Sequence, residues 1–143
     1  MNETQNKQDI RLARSFFGLE SCLRLEHNTT GTWMMLGRKN GTGWTWNKAK
    51  LSPAELGDIL CVLSGKSNKV GFFHTFTKDG VKKETRINVN KAETGDNVFF
   101  RIEEHAKPLN PGEQEVLQVL LHRVLHDGCH DSWQANHNGG EEQ

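Results

Sequence analysis

The stretch Gly43-Trp44-Thr45-Trp46-Asn47-Lys48-Ala49-Lys50-Leu51-Ser52-Pro53-Ala54-Glu55-Leu56 contains the change of period that decides the fold. Over 43–48 the side chains alternate between two sides of a strand, with Trp44, Trp46 and Lys48 on one and Thr45 and Asn47 on the other. At Ser52 the spacing becomes helical. Ser52 is an N-cap, Pro53 takes the first helical position and Glu55 the third, a capping box ahead of Leu56, Ile59, Leu60 and Leu63. Gly65 closes that helix. Upstream, the strand segments 21–27 and 32–38 are divided from each other and from 43–48 by Asn28–Gly31 and Asn40–Gly43, which makes a meander.

Downstream the same order recurs. Segments 70–76, 83–89 and 97–102 read as strands joined by Lys78-Asp79-Gly80 and Gly95-Asp96-Asn97, where Asp and Gly accept the positive φ of tight turns. A second helix opens at Asn110-Pro111-Gly112-Glu113, carries Val116, Leu117, Leu120, Leu121 and Val124 at helical spacing, and is expected to stop at Gly128. The fold class expected is α+β: two antiparallel β-meanders, each followed by a helix. One domain over 11–130 is expected, with flexible ends at 1–10 and in an acidic tail at 131–143, where Glu141 and Glu142 follow Gly139-Gly140.

The bulk numbers fit a single core of 143 residues and 16.2 kDa. No apolar run approaches bilayer length, and the first ten residues are polar with both charge signs, unlike a signal peptide, so a cytoplasmic or nucleoid location is expected. Cys22, Cys61 and Cys129 form no disulfide pattern, which suits a reducing compartment. The net charge is zero but unevenly spread. Residues 38–101 hold twelve Lys or Arg against six Asp or Glu, and 102–143 hold two against eight. A basic middle of this kind suits a polyanion.

Aromatic rings interleaved with cations on a sheet surface suit unpaired bases, since any base stacks on a ring while cations follow phosphates. On that basis the candidate nucleic-acid-binding residues are Trp33, Arg38, Lys39, Trp44, Trp46, Lys48, Lys50, Lys82, Lys83, Arg86, Phe99 and Arg101. Within 97–102, Val98, Phe100 and Ile102 take the core face, leaving Phe99 and Arg101 outward. Ile87 and Val89 likewise point inward with Thr85, and Glu84, Arg86 and Asn88 outward. Phe72, Phe73, Phe76 and Phe100 are assigned to the core.

Other chemistries find little support. There is no nucleophile elbow, phosphate-cradling glycine loop or HExxH motif, so no catalytic residue, no cofactor and no enzymatic activity are expected. His122, His126, Cys129 and His130 cluster without the paired loops of a structural zinc motif, and read as a solvated polar face with no metal.

Several motifs, in order, resemble the Whirly family of single-stranded DNA-binding proteins. Trp33-Met34-Met35 with Gly43-Trp44-Thr45-Trp46-Asn47-Lys48 is similar to two successive strands of that family, and Leu51-Ser52-Pro53-Ala54-Glu55-Leu56-Gly57 to its helix opening. Gly71-Phe72-Phe73-His74 and Val98-Phe99-Phe100-Arg101-Ile102 are similar to its paired-phenylalanine strands. The resemblance spans roughly 22–127. It implies two four-stranded sheets packed crosswise, helices pairing between subunits in a homo-tetramer, and single-stranded DNA as partner in replication, recombination or repair, in a bacterial or phage setting. Replication proteins docking on the acidic tail are a further expectation. The lysine-glycine-lysine-alanine motif of the plant proteins has no counterpart near 11–20, and the first strand and the one at 105–109 are short. A transcription-coactivator or protein-interaction module of the same fold, or an RNA-binding protein, are the alternatives.

Overall fold

The computed structural model describes the backbone of residues 10–139 and the side chains of residues 10–127. In chain order the elements are β1 (Ile10–Phe17), β2 (Ser21–Asn28), β3 (Gly31–Asn40), β4 (Gly43–Leu51), α1 (Pro53–Leu63), β5 (Lys69–Lys78), β6 (Val81–Lys91), β7 (Val98–Ile102), β8 (His105–Leu109) and α2 (Pro111–Gly139). Two antiparallel four-stranded sheets result, β1-β2-β3-β4 and β5-β6-β7-β8, each followed by one helix. The expected α+β architecture is the observed one.

Local chemistry accounts for the turns and caps. Asp79 (φ 55) and Gly80 (φ 77) both take the left-handed conformation, which turns β5 tightly into β6. At α1 the Ser52 hydroxyl accepts from the Glu55 N–H, and Glu55 Oε1 accepts from the Ser52 N–H at 2.9 Å, closing the capping box. The Asn110 side chain and Glu113 make the same reciprocal pair at the start of α2.

A shared core joins the layers. Leu23, Leu25, Met34, Leu36, Ala49 and Leu51 from the first sheet meet Ile87, Val89, Val98, Phe100, Ile102 and Leu109 from the second. Leu56, Ile59, Val62 and Leu63 of α1 and Leu117, Leu121 and Val124 of α2 complete it. Burial of each such side chain contributes roughly 1.5–3 kcal/mol before chain entropy is subtracted. A partly buried polar junction fixes the sheets to each other. Asn47 Nδ2 donates to Ile102 O (3.1 Å) and to His105 Nδ1 (2.9 Å), and His105 Nε2 donates to Thr45 O (3.2 Å). Because Thr45 O only accepts, His105 must carry its proton on Nε2.

Three sequence expectations change. The residues alone gave three strands per meander; β1 and β8 are the fourth members. Second, α2 does not stop at Gly128 but continues to Gly139, so the boundary expected at 130 falls within a helix and 131–139 is helical backbone. No proline follows Gly128, and a glycine inside a helix costs only about 1 kcal/mol relative to alanine. The acidic residues Glu141 and Glu142 lie outside the described residues. Third, Phe73 and Phe76 are 51% and 48% exposed rather than core. Phe73 alternates outward from the partly buried Phe72, and Phe76 lies near the tip of the β5–β6 hairpin, beyond the reach of the core.

Candidate nucleic-acid interface

The outer face of the first sheet is built rung by rung. Trp33 stands opposite Lys50, Met35 opposite Lys48, Gly37 opposite Trp46 and Lys39 opposite Trp44. An indole therefore faces a cation at the Trp33–Lys50 and Lys39–Trp44 rungs, and Trp44, Trp46, Lys48 and Lys50 follow one another along the outer side of β4. Lys48 Nζ sits 5.6 Å from the centre of the Trp33 ring, within cation–π range.

One rung runs Phe17–Cys22–Gly37–Trp46 across all four strands. Its two middle members are small, so large rings from both edges can lean over them. A Cβ on Gly37 would meet Cζ3 of Trp46 at 2.9 Å, showing that the indole lies directly on the strand. The Trp44 and Trp46 centroids are 6.0 Å apart, and Phe17 meets Trp44 edge-on, also at 6.0 Å. This three-ring ladder faces outward, with Phe17 64% and Trp46 42% exposed. Beneath it Cys22 is fully buried, and burial pushes its thiol up from the ordinary value, although a hydrogen bond with Ser15 opposes the shift.

At the β4 edge the surface turns into a cleft of about 760 Å³ lined by Trp33, Lys48, Lys50, His74, Phe76 and Thr85. His74 closes one side, its Nε2 2.8 Å from Glu55 Oε2. Lys83 is the register partner of Phe76 and lies on this side of the hairpin.

The remaining candidates lie elsewhere. Arg86 and Arg101 are on the outer face of the second sheet with Phe99, and Lys82 shares that face. Arg86 stacks over Phe73, guanidinium carbon to centroid 5.4 Å. Arg38 belongs to neither surface: its Nη2 donates to Glu104 O at 2.7 Å, clamping β3 to the β7–β8 turn. The twelve candidates thus divide into seven around the first sheet and cleft, four on the second sheet and one structural clamp. Sequence reading missed Phe17, Phe73 and Phe76. The signal for Phe73 was present, because adjacent phenylalanines in a strand face opposite ways, whereas Phe17 requires the four-strand register.

Among the described residues no three His, Cys, Asp or Glu gather to hold a metal ion. No described helix is long and apolar enough to cross a membrane.

No protein-family model matches the chain, and no curated protein matches it. Solved structures do. WHY3 from Arabidopsis thaliana superposes with a TM-score of 0.64 at 15% identity, covering 95% of this chain and 100% of that one. The plant transcriptional regulator PBF-2 gives 0.60 at 14% identity over 96% and 100% of the two chains. MRP1/MRP2 of Trypanosoma bruciei gives 0.51 at 17% identity over 87% and 88%. At these identities the likeness establishes the fold, which is Whirly-like.

Proposed function

From the Whirly-like fold and the ring-and-cation surface we propose that this chain binds single-stranded DNA, largely without sequence preference, and has no enzymatic role. The observation that carries the reading is the exposed Phe17–Trp44–Trp46 ladder flanked by Lys39, Lys48 and Lys50. Each base stacked on such a ring contributes roughly 1–3 kcal/mol whatever its identity, and the lysines follow the phosphates. The cleft between Trp33 and Phe76 extends the track around the β4 edge. Protection of single strands in replication, recombination or repair is the role that fits such binding, in a cytoplasmic or nucleoid setting.

The helices suit pairing between copies. Val116 and Val119 leave apolar surface exposed on α2, which supports a homo-tetramer as the working assembly.

Binding of labelled oligo(dT), the matching RNA and a duplex at two salt concentrations tests the reading. Preference for oligo(dT), weaker at higher salt and weaker in Trp44→Ala, is the expected result. Absence of binding to every nucleic acid at low salt would sink it. A second reading follows from PBF-2, a transcriptional regulator of the same fold: the exposed rings could dock a protein. Salt-insensitive capture of a protein partner through Phe17 and Trp46, with no DNA binding, would favour it.

A further inference from the structure

The second sheet turns outward a surface of different chemistry. Two of its rungs run Lys69–Asn90–Phe99 and Gly71–Asn88–Arg101 across β5, β6 and β7. Lys69, Gly71, Asn88, Asn90 and Arg101 line a concavity there of about 670 Å³, a size that suits a small ligand. Where the first sheet seats an indole over Gly37, this one seats an amide: a Cβ on Gly71 would meet Asn88 Oδ1 at 2.8 Å, so the Asn88 side chain lies across β5 in space that glycine leaves open. Hydrogen bonding then separates the polar groups of this face. Asn90 donates to Lys91 O at 3.1 Å, and the Arg86 guanidinium stacks on Phe73. Among the described residues, no hydrogen bond or ion pair engages the half-buried Asn88 amide or the exposed Arg101 guanidinium. These two are direct partners in the ladder, with Cβ atoms about 4.5–5.5 Å apart.

We propose that Asn88 and Arg101 form a base-edge site for guanine, separate from the tryptophan ladder. A guanidinium fork donates two parallel hydrogen bonds and needs two adjacent acceptors, which guanine presents as O6 and N7. The Asn88 carbonyl supplies the acceptor that arginine lacks, for the guanine N1–H beside O6. Along the edges of adenine and thymine, donors and acceptors alternate, so neither offers the fork an adjacent pair. Cytosine does, through O2 and N3, but its smaller ring covers less of the concavity and of Phe99 on the neighbouring rung. Lys69 and Lys91 stand at the rim for the phosphates against one carboxylate, Glu93. The site rests on the proposed DNA binding for its polymer but not for its geometry, since the outer faces of the two sheets look away from each other.

Short oligo(dT) and the same strand with a central guanine, adenine or cytosine, titrated against the full chain and against Trp46→Ala, test the site. The guanine probe should bind about 5- to 150-fold more tightly than the adenine probe, and that ratio should survive Trp46→Ala even as oligo(dT) binding falls. Arg101→Lys keeps the charge and removes the fork, and Asn88→Ala removes the amide; each should erase the guanine gain and leave oligo(dT) affinity as it was. Oligo(dT) binding with no guanine gain would overturn this site and leave the ladder standing, whereas binding of the guanine probe without binding of oligo(dT) would support it and overturn the ladder. A guanine gain that persists in both Arg101→Lys and Asn88→Ala, or a cytosine probe that outbinds the guanine probe, would overturn the assignment.

Discussion

A Cβ on Gly37 would stand 2.9 Å from the Trp46 ring, closer than packed carbon atoms approach, so Gly37→Val must lift the indole from the strand. Trp46→Ala removes the same ring and should weaken oligo(dT) binding by roughly 1–3 kcal/mol, about 5- to 150-fold. Gly37→Val should approach that loss with every aromatic residue still in place, read by fluorescence titration; unchanged affinity would mean that the ring's position does not matter. Cys22, under the ladder, makes a separate prediction. Its thiol is pushed up from 9.0 by burial, so the folded chain keeps the proton where the unfolded chain releases it. Stability is therefore full below about pH 9 and declines as pH rises above it. Cys22→Ala should flatten that part of the pH–stability curve, and position-resolved alkylation at pH 8 should label Cys61 well before Cys22. At this scale the sequence revealed the side of the strand on which Trp44, Trp46 and Lys48 stand, because alternation within one strand suffices. It could not reveal that Cys22 and Gly37 form the floor beneath them, which depends on pairing between strands far apart in the chain.

Among the elements, α1 was legible to its last turn because Ser52, Pro53 and Glu55 each have one physical reason to stand where they do. Glu55 carries two loads, one oxygen closing the capping box and the other reaching His74. Ser52→Ala should cost about 1 kcal/mol, or about 3 °C in thermal midpoint for a chain of this size. Glu55→Ala should cost more, since His74 loses its partner as well; equal losses in the two variants would show that the link to β5 contributes nothing. The fourth strands were not legible for opposite reasons. In β1, only Phe16 is buried, so no alternation marks the strand. β8 alternates correctly in space, burying His105, Lys107 and Leu109, but two of those three are polar, and Pro108 suggests a loop. Proline is tolerated there because β8 is an edge strand. Gly128 misled in the other direction: a glycine marks a helix end only where the following residues leave the helix, and here none is proline.

For the whole molecule the question is whether one nucleic-acid strand uses both charged surfaces. The inner faces of the two sheets share the core, so their outer faces look away from each other. A short strand stacked on Phe17, Trp44 and Trp46 then meets Lys39, Lys48 and Lys50 but not Arg86 or Arg101. Each single-strand phosphate that a cation no longer neutralises lowers the slope of log K against log salt by about 0.7. Replacing Lys39, Lys48 and Lys50 by glutamine should therefore reduce that slope by about 2, whereas Arg86→Ala with Arg101→Ala should leave it unchanged for short oligo(dT). Arg38→Ala is the internal control, since its guanidinium is committed to Glu104 O: it should lower stability by about 1 kcal/mol and leave the slope alone. Equal slope reductions from the lysine and arginine sets would mean that the DNA wraps from one sheet to the other. A slope change from the arginines alone would move the interface to the second sheet, with the Phe73–Arg86 stack in place of the tryptophan ladder.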